Sequence, residues 1–173
     1  MFGKPSVFLV GPMGSGKTAV GRHLARLFRY AFYDSDADIE AKTGVDIQFI
    51  FEKEGESGFR AREKESIERL TKVESIVLAT GGGAVLLVEN RQRLAARGCV
   101  VYLQTSVAQQ ADRVRHGRNR PLLASGDADT RLGELMHVRA PLYEEIADIV
   151  VATDGRRVGS VAEQVLQQLG APR

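Results

Sequence analysis

The sequence predicts an α/β protein built around a parallel sheet, and two observations support this prediction. Short apolar runs alternate along the chain with longer segments of helical periodicity, which is the pattern of repeated strand–helix units. The first apolar run, Val7–Val10, leads directly into Gly-Pro-Met-Gly-Ser-Gly-Lys-Thr at 11–18, and a helical pattern follows. A strand, a glycine-rich turn and a helix in this order are typical of a phosphate-binding loop.

Five apolar runs are strand candidates, and most of the segments between them have helical periodicity. The strands are predicted at Val7–Val10, Ala31–Tyr33, Ile76–Ala79, Val100–Leu103 and Ile149–Ala152. The helices are predicted over about 17–29, 57–72, 88–97, 106–114, 129–146 and 159–169. Two segments interrupt the alternation: about 36–60, with a short helical pattern of its own, and about 114–126, rich in Arg and Gly. The pattern does not specify the order of the strands.

The length of 173 residues predicts one compact domain spanning 1–173. A net charge of +2 gives no reason to expect a nucleic-acid partner, and no long uncharged apolar run suggests a membrane span. No N-terminal stretch resembles a signal peptide, and the one cysteine, Cys99, lies in an apolar run and cannot form a disulfide within the chain. These features favour the cytoplasm, or a plastid if a transit peptide has been removed.

The glycine-rich loop has the residue types that a polyphosphate site needs. Its small residues, among them Gly14, Ser15 and Gly16, let several backbone N–H groups approach one ligand. The N-terminal end of the following helix adds partial positive charge. Lys17 is expected to reach the β- and γ-phosphates, and the Thr18 hydroxyl is expected to bind Mg²⁺. The alternative is a glycine-rich turn that binds nothing, and the flanking strand and helix disfavour it.

Two carboxylates follow the second strand candidate, at Asp34 and Asp36. Strand C-terminal ends in open α/β sheets face the ligand crevice, so both should approach the phosphate loop. On an extended segment, a spacing of two residues lets both point to one side. Asp34 is the candidate for holding Mg²⁺, and Asp36 for accepting the proton of an attacking hydroxyl or for holding hydroxyls. The alternative is that Asp36 only caps the next helix.

Three consecutive glycines, Gly81 to Gly83, follow the third strand candidate. They permit a close approach of the backbone, where N–H groups can donate to a ligand, although ordinary turns also use paired glycines. This strand closes with Ala79 and Thr80 and has no acidic residue at its end. Thr18 and Asp34 are therefore expected to bind Mg²⁺ in place of such a carboxylate.

Arginines at three places are candidates for anion binding, because guanidinium groups pair with carboxylates and phosphates. Arg60 is predicted near the start of a helix and Arg139 within a late one, and both are candidates for an anionic acceptor. Arg and His residues also crowd the stretch from Arg113 to Arg120, which fits a lid that clamps a transferring phosphoryl group and excludes water. The alternative for that stretch is a solvated basic loop or a weak nucleic-acid patch.

Taken together, the ordered motifs resemble the shikimate kinase family. The matching stretches are the phosphate loop, Phe-Tyr-Asp-Ser-Asp, Gly-Phe-Arg-Ala-Arg-Glu, Ala-Thr-Gly-Gly-Gly, Arg-Pro-Leu-Leu and Arg-Ala-Pro-Leu-Tyr-Glu-Glu, and the resemblance extends from about residue 6 to 169. It implies a P-loop NTPase fold of the adenylate-kinase type, with a five-stranded parallel sheet. It also implies ATP-dependent phosphorylation of the shikimate 3-hydroxyl, on the route to chorismate and the aromatic amino acids, by a cytoplasmic, Mg²⁺-dependent monomer.

The resemblance assigns a role to each matching residue. Asp36 would bind the shikimate hydroxyls and act as a base or orienting group, Arg60 and Arg139 would hold the carboxylate, and the Gly82 backbone would meet the substrate. Arg113 would lie along the nucleotide, Arg120 would reach the phosphates with the lid, and Arg156, in preference to Arg157, would touch adenine. The nucleotide set is Gly14, Ser15, Gly16, Lys17, Thr18, Ala19, Arg113, Arg120 and Arg156; the catalytic set is Lys17, Asp36 and Arg120; the metal set is Thr18 and Asp34.

Two other functions compete with this interpretation. One is a different small-molecule kinase on the same fold, such as a gluconate or nucleoside monophosphate kinase. The pair of aspartates, Asp34 and Asp36, together with Arg60 favours a polyhydroxy acid over a nucleotide base. The other is a catalytically dead regulatory relative, which the presence of Lys17, Asp36 and Arg120 disfavours.

Overall fold

The central feature of the computed structural model, which describes residues 6–115 and 127–170, is a five-stranded sheet whose neighbouring strands are all parallel. Its strands are β1 (Val7–Val10), β2 (Ala31–Asp34), β3 (Ile76–Ala79), β4 (Cys99–Gln104) and β5 (Ile149–Ala152). They lie side by side in the order β2-β3-β1-β4-β5. The predicted five-stranded parallel sheet is therefore confirmed, and the strand that leads into the glycine-rich loop lies at its centre.

Seven α-helices and one short 3₁₀ helix accompany these strands within the described residues, and all but the last helix lie between strands in the sequence. They are α1 (Lys17–Phe28), α2 (Ser35–Thr43), α3 (Ile47–Leu70), the 3₁₀ helix Ala84–Leu86, α4 (Val88–Arg97), α5 (Val107–Arg115), α6 (Ala128–Ile146) and α7 (Val158–Leu169). No described helix is long and apolar enough to cross a membrane.

The buried strands explain why their sequences are continuously apolar. Alternate residues of a strand point to opposite faces, and helices cover both faces of this sheet. Val7 and Leu9 of β1 belong to a core that α1 and α7 complete, whereas Phe8 and Val10 belong to a second core, completed by α3, α4 and α6. Because both faces of β1 are buried, no polar residue interrupts it.

The segment at 36–60 differs from its prediction, because it is helical over most of its length. It contains α2 and the N-terminal part of α3, which extends from Ile47 to Leu70. Gly55 interrupts α3 with φ 70° and ψ −175°, a conformation that costs glycine little because it has no Cβ. The helical backbone starts again directly after Gly55, so the prediction of a helix from about 57, with Arg60 near its start, is confirmed.

The expectation that Asp34 and Asp36 share an extended segment was wrong. The strand ends at Asp34, and α2 begins at Ser35. Asp34 caps this helix, and its Oδ1 accepts hydrogen bonds from the amides of Asp36 at 2.9 Å and Ala37 at 3.2 Å. Capping by Asp34 leaves the Asp36 side chain available for another role. The predicted lid at about 114–126, with Arg120, lies almost wholly outside the described residues.

Candidate active site

Two adjoining cavities open at the edge of the sheet where β1, β2 and β3 end. The strands are parallel, so the segments that follow them all meet at this edge. We call the first the α3 cavity, of about 450 Å³, and the second the loop cavity, of about 480 Å³. The two share the residues Met13, Thr18, Asp34, Asp36, Gly81 and Gly82. A molecule in one cavity would therefore directly face a molecule in the other.

The loop cavity is lined by every residue of the predicted nucleotide set that the structure describes; Arg120 lies outside the described residues. Lys17 begins α1, and its Nζ donates to the carbonyls of Gly11 at 2.7 Å and Pro12 at 2.8 Å. The ammonium group is thus held over its own loop, beside the end of α1 where backbone N–H groups are exposed. The cavity is lined by Gly14, Ser15, Gly16, Lys17, Thr18, Ala19, Arg113 and Arg156 among others.

Two arginines from distant parts of the chain border this cavity. Arg113 of α5 donates to the carbonyl of Gly14 and so contacts the loop itself. Arg156, which precedes α7, donates to the carbonyls of Ala152 at 2.9 Å and Ser160 at 3.0 Å. Its neighbour Arg157 is the exposed N-cap residue of α7 and does not line the cavity. Of these two arginines, the structure therefore brings only Arg156 to the loop cavity.

Thr18 and Asp34 are adjacent where the two cavities join. The Thr18 hydroxyl donates to Asp34 Oδ2 at 3.1 Å, while the other carboxylate oxygen of Asp34 caps α2. A hydroxyl and a carboxylate are hard oxygen donors of the kind that Mg²⁺ prefers, and Mg²⁺ commonly completes its octahedron with waters and substrate phosphates. This pair fits a Mg²⁺ ion that is also bound by a nucleotide. The described residues contain no cluster of three or more metal-ligating side chains.

Asp36 lies in the α3 cavity with a strongly perturbed carboxyl group. Burial and, to a smaller extent, the nearby carboxylates of Glu63 and Asp34 raise its pKa to about 7, although Lys17 and Arg60 oppose the shift. Its Oδ1 is buried and has no hydrogen-bond partner among the described residues. Such an oxygen is costly unless a ligand donates to it, which makes Asp36 a candidate for binding a hydroxyl.

Arg60 and Glu63 form a buried ion pair on the wall of the α3 cavity. Arg60 Nη1 donates to Glu63 Oε1 at 2.7 Å, and the side chain of Glu63 is entirely inaccessible to solvent. Burial raises the pKa of Glu63, while the Arg60 and Arg139 guanidinium groups lower it. The second oxygen of Glu63 has no hydrogen-bond partner in the part of the chain that the structure describes. It converges with Asp36 Oδ1 on Gly81, where a Cβ would be 2.9 Å from each.

The guanidinium group of Arg60 also needs a neighbour without a side chain. A Cβ on Gly83 would lie 2.3 Å from Arg60 Nη2, a distance that atoms cannot adopt. Glycine at this position therefore lets the guanidinium lie flat against the backbone of the Gly81–Gly83 turn. The sequence reasoning identified Arg60 and the glycines but missed Glu63, whose position three residues after Arg60 on a helix was the available signal.

Arg139 reaches the α3 cavity from α6. It is only 5% exposed, and burial lowers its pKa. No carboxylate among the described residues forms an ion pair with it, although a buried cation normally requires one. Arg139 Nη1 would be 3.5 Å from a Cβ on Gly82, so it borders the glycine turn opposite Arg60. The structure thus brings Asp36, Arg60, Gly82 and Arg139 together around one cavity, which can hold an anion with hydroxyl groups.

Comparison with known proteins gives one consistent family. The shikimate kinase family model matches residues 13–170. A shikimate kinase of Halorhodospira halophila is 56% identical over 163 residues, covering 94% of this chain and 92% of that protein. A shikimate kinase of Nitrosococcus oceani is 53% identical, covering 97% of this chain and 91% of that protein.

Solved structures agree with the sequence comparison. The structure of a shikimate kinase from Acinetobacter baumannii in complex with shikimate matches with a TM-score of 0.95 at 47% identity, covering 98% of this chain and 94% of that one. A gluconokinase from Sinorhizobium meliloti matches with a TM-score of 0.61 at 19% identity, which is a likeness of fold alone.

Proposed function

The chain belongs to the shikimate kinase family, and we propose that it transfers the γ-phosphoryl group of ATP to the 3-hydroxyl of shikimate. The products are shikimate 3-phosphate and ADP. The observation that supports this proposal most directly is the α3 cavity, where two buried guanidinium groups and a partnerless carboxylate oxygen adjoin the phosphate loop. A carboxylate with several hydroxyls is the chemical complement of that set.

In the α3 cavity, the acceptor is held by its two kinds of polar group. Arg60 and Arg139 bind the shikimate carboxylate, and the Arg139 guanidinium thereby gains the anionic partner that its burial requires. Asp36 accepts hydrogen bonds from shikimate hydroxyls, and the Gly82 backbone meets the same molecule. Because Asp36 also lines the loop cavity, this arrangement directs a hydroxyl toward the γ-phosphate.

In the loop cavity, the nucleotide is bound mainly through its phosphates. The backbone of Gly14 to Ala19 surrounds them, Lys17 neutralises charge at the β- and γ-phosphates, and Thr18 with Asp34 holds Mg²⁺. When bound, Mg²⁺ would neutralise charge that develops on the phosphate oxygens during transfer. Arg113 lies along the nucleotide, Arg156 borders the adenine end, and Arg120 approaches the phosphates from the predicted lid.

The transfer itself demands little covalent chemistry from the protein. The shikimate oxygen forms a bond to the γ-phosphorus as the bond to the leaving ADP oxygen breaks, and the hydroxyl proton passes to Asp36. A carboxyl group whose pKa is about 7 can accept that proton near neutral pH. Positioning and charge neutralisation supply most of the remaining rate enhancement. We also propose that the enzyme acts as a monomer, because residues of one chain line both cavities, and that it acts in the cytoplasm, as the sequence analysis favours.

The test is an ADP-release assay with shikimate, gluconate or a nucleoside monophosphate as acceptor. We expect turnover with shikimate and little with the others, because only shikimate combines a carboxylate and hydroxyls in a ring of suitable size. Lys17→Met should remove turnover without changing the unfolding temperature, whereas Lys64→Met, at an exposed ion pair with Glu89, should leave turnover intact. Preferential phosphorylation of gluconate or of a nucleotide would contradict the proposed substrate.

A further inference from the structure

The hydroxyl of Tyr143 contacts Gly82, which lines the α3 cavity, although Tyr143 itself does not line that cavity. Tyr143 lies one helical turn after Arg139 on α6, so both side chains are on one face of that helix. Its ring is fully buried and packs against the ring of Tyr102, with 5.0 Å between their centres. Its hydroxyl donates a hydrogen bond to the carbonyl of Gly82. A buried tyrosine therefore connects α6 to the glycine turn that lines the α3 cavity.

Within residues 6–115 and 127–170, this is the one hydrogen bond to the carbonyl in the middle of the turn. At its start, the Gly81 amide donates to Ser35 Oγ at 3.0 Å, and the Gly81 carbonyl accepts from Ala84 at 3.1 Å. At its end, the Gly83 carbonyl accepts from Leu86 at 3.1 Å. Among the residues that the structure describes, the carbonyl of Gly82 has one partner, the Tyr143 hydroxyl.

Fixing one carbonyl fixes a whole peptide unit. The peptide between Gly82 and Gly83 is planar and trans, so its carbonyl and its N–H point in opposite directions. Glycine residues have no side chains to restrict their dihedral angles, and a turn made of three of them needs outside contacts to keep one conformation. The Tyr143 hydroxyl supplies that contact on the side away from the cavity.

The hydroxyl is suited to act as a permanent donor. Burial raises the pKa of Tyr143 well above its usual value, although the nearby Arg139 guanidinium opposes this shift. The phenol therefore stays protonated throughout the neutral range, and its O–H donates a hydrogen bond to the Gly82 carbonyl. The phenol oxygen keeps lone pairs that are attracted to the Arg139 guanidinium, so a single hydroxyl influences two groups of the acceptor site.

We propose that Tyr143 is a positioning residue of the acceptor site, whose hydroxyl holds the Gly82–Gly83 peptide and the Arg139 guanidinium in the arrangement that binds the acceptor. This proposal rests on the proposed function for the identity of the acceptor, but not for the effect on the turn. The competing interpretation is that Tyr143 only fills the core beside Tyr102. Tyr143→Phe separates the two, because it keeps the ring and removes the hydroxyl alone.

Tyr102→Phe is the matched control. Tyr102 is as buried as Tyr143 and belongs to the same aromatic pair, but its hydroxyl has no hydrogen-bond partner among the described residues. Tyr143→Phe should raise the KM for shikimate about ten-fold, the scale of one lost buried hydrogen bond. The KM for ATP should stay within a factor of about two. Tyr102→Phe should change neither constant by more than that.

Amide hydrogen exchange at 81–83 provides a readout that does not depend on the substrate. Without ligands, Tyr143→Phe should accelerate exchange in this turn, and Tyr102→Phe should not. Unchanged exchange in Tyr143→Phe, equal rises in both KM values, or the same effect in Tyr102→Phe would each overturn the positioning role. Faster exchange in a protein whose wild type does not phosphorylate shikimate would instead overturn the proposed function and leave the contact with the turn intact.

Discussion

At the scale of single residues, the candidate site combines groups whose burial is unfavourable for folding. Among the described residues, Asp36 and Glu63 each have a buried carboxylate oxygen with no hydrogen-bond partner, and the buried cation Arg139 forms no ion pair. Each would destabilise a protein that binds no ligand, since buried polar groups normally have hydrogen-bond or ion-pair partners within the folded protein. This concentration of unsatisfied polar groups at one edge of the sheet is best explained by binding.

Asp36→Asn should therefore stabilise the unliganded protein while it removes activity. The folded-state pKa of about 7 lies above the usual value of 3.8, so the folded state binds more protons than the unfolded state between these values. The free energy of unfolding consequently decreases as the pH rises from about 4 to about 7. An asparagine does not titrate, so it adds no such pH dependence. Asp36→Asn should gain stability over the wild type at pH 8, by an amount on the order of a few kcal/mol.

Urea unfolding at pH 5 and pH 8 measures this effect, with the exposed Glu65→Gln as the control. The advantage of Asp36→Asn over the wild type should be larger at pH 8 than at pH 5, while the control should behave as the wild type. Its kcat should fall roughly 100-fold, the usual effect of removing a positioned proton acceptor. An advantage that is equal at both pH values would contradict the raised pKa.

Residues in local motifs were predictable from the sequence, and residues defined by packing were not. The phosphate loop depends on consecutive residues, so Lys17 and Thr18 could be identified from the sequence alone. Glu63 was missed because a glutamate on a helix is normally exposed: its spacing from Arg60 indicates that the two can pair, but not that the pair is buried. Tyr143 appears in a motif, but its sequence does not indicate that its hydroxyl reaches Gly82 from another element.

At the scale of secondary-structure elements, α3 links the site to the second core. Its first half borders the α3 cavity, and its second half contributes Ile67 and Leu70 to the core beneath the sheet. Its C-terminal part was predicted as a separate helix from about 57, and Gly55 does interrupt the helical backbone just before that point; its N-terminal part lies in the segment 36–60, where the sequence indicated only a short helical pattern. The strand order likewise depends on contacts between distant segments, and the local pattern has no information about them.

Glu68 connects the C-terminal half of α3 to α4 through ion pairs. Its carboxylate pairs with Lys72 of the same chain segment at 2.6 Å and with Arg93 and Arg97 of α4. Hydrogen bonds from Lys72 and Arg97 lower the pKa of Glu68 to about 2. Because the side chain is partly exposed, water and salt weaken these pairs, and the contribution should depend on ionic strength.

Glu68→Gln should lower the unfolding temperature at pH 7 but have progressively less effect in acid. The folded-state pKa lies below the usual 4.5, so the stabilisation is present above pH 4.5 and disappears as the pH falls toward 2. Thermal unfolding between pH 7 and pH 3, at low and high salt, measures this dependence, with Glu65→Gln as the control. A difference that is independent of both pH and salt would indicate that Glu68 acts by packing and not by charge.

At the scale of the whole molecule, two ligand cavities meet at a shared wall and draw their specific residues from different elements. Lys17 lines the loop cavity but not the α3 cavity, and Arg139 lines the α3 cavity but not the loop cavity. Changes at these two positions should therefore affect the two ligands separately. A ligand at about 100 times its Kd stabilises the folded state by about 2.7 kcal/mol, which is readily seen as a rise in unfolding temperature.

Thermal unfolding with each ligand alone tests this separation. Lys17→Met should lose most of the rise caused by a non-hydrolysable ATP analogue with Mg²⁺ and keep the rise caused by shikimate, because the lysine is expected at the phosphates. Arg139→Ala should show the reverse, since its guanidinium borders only the acceptor. In the wild type, both ligands together should raise the unfolding temperature at least as much as either alone, because each occupies its own cavity. If either variant lost both responses equally, its side chain would be needed for the fold and not for one ligand, and the division of the site into two cavities would fail as a description of function.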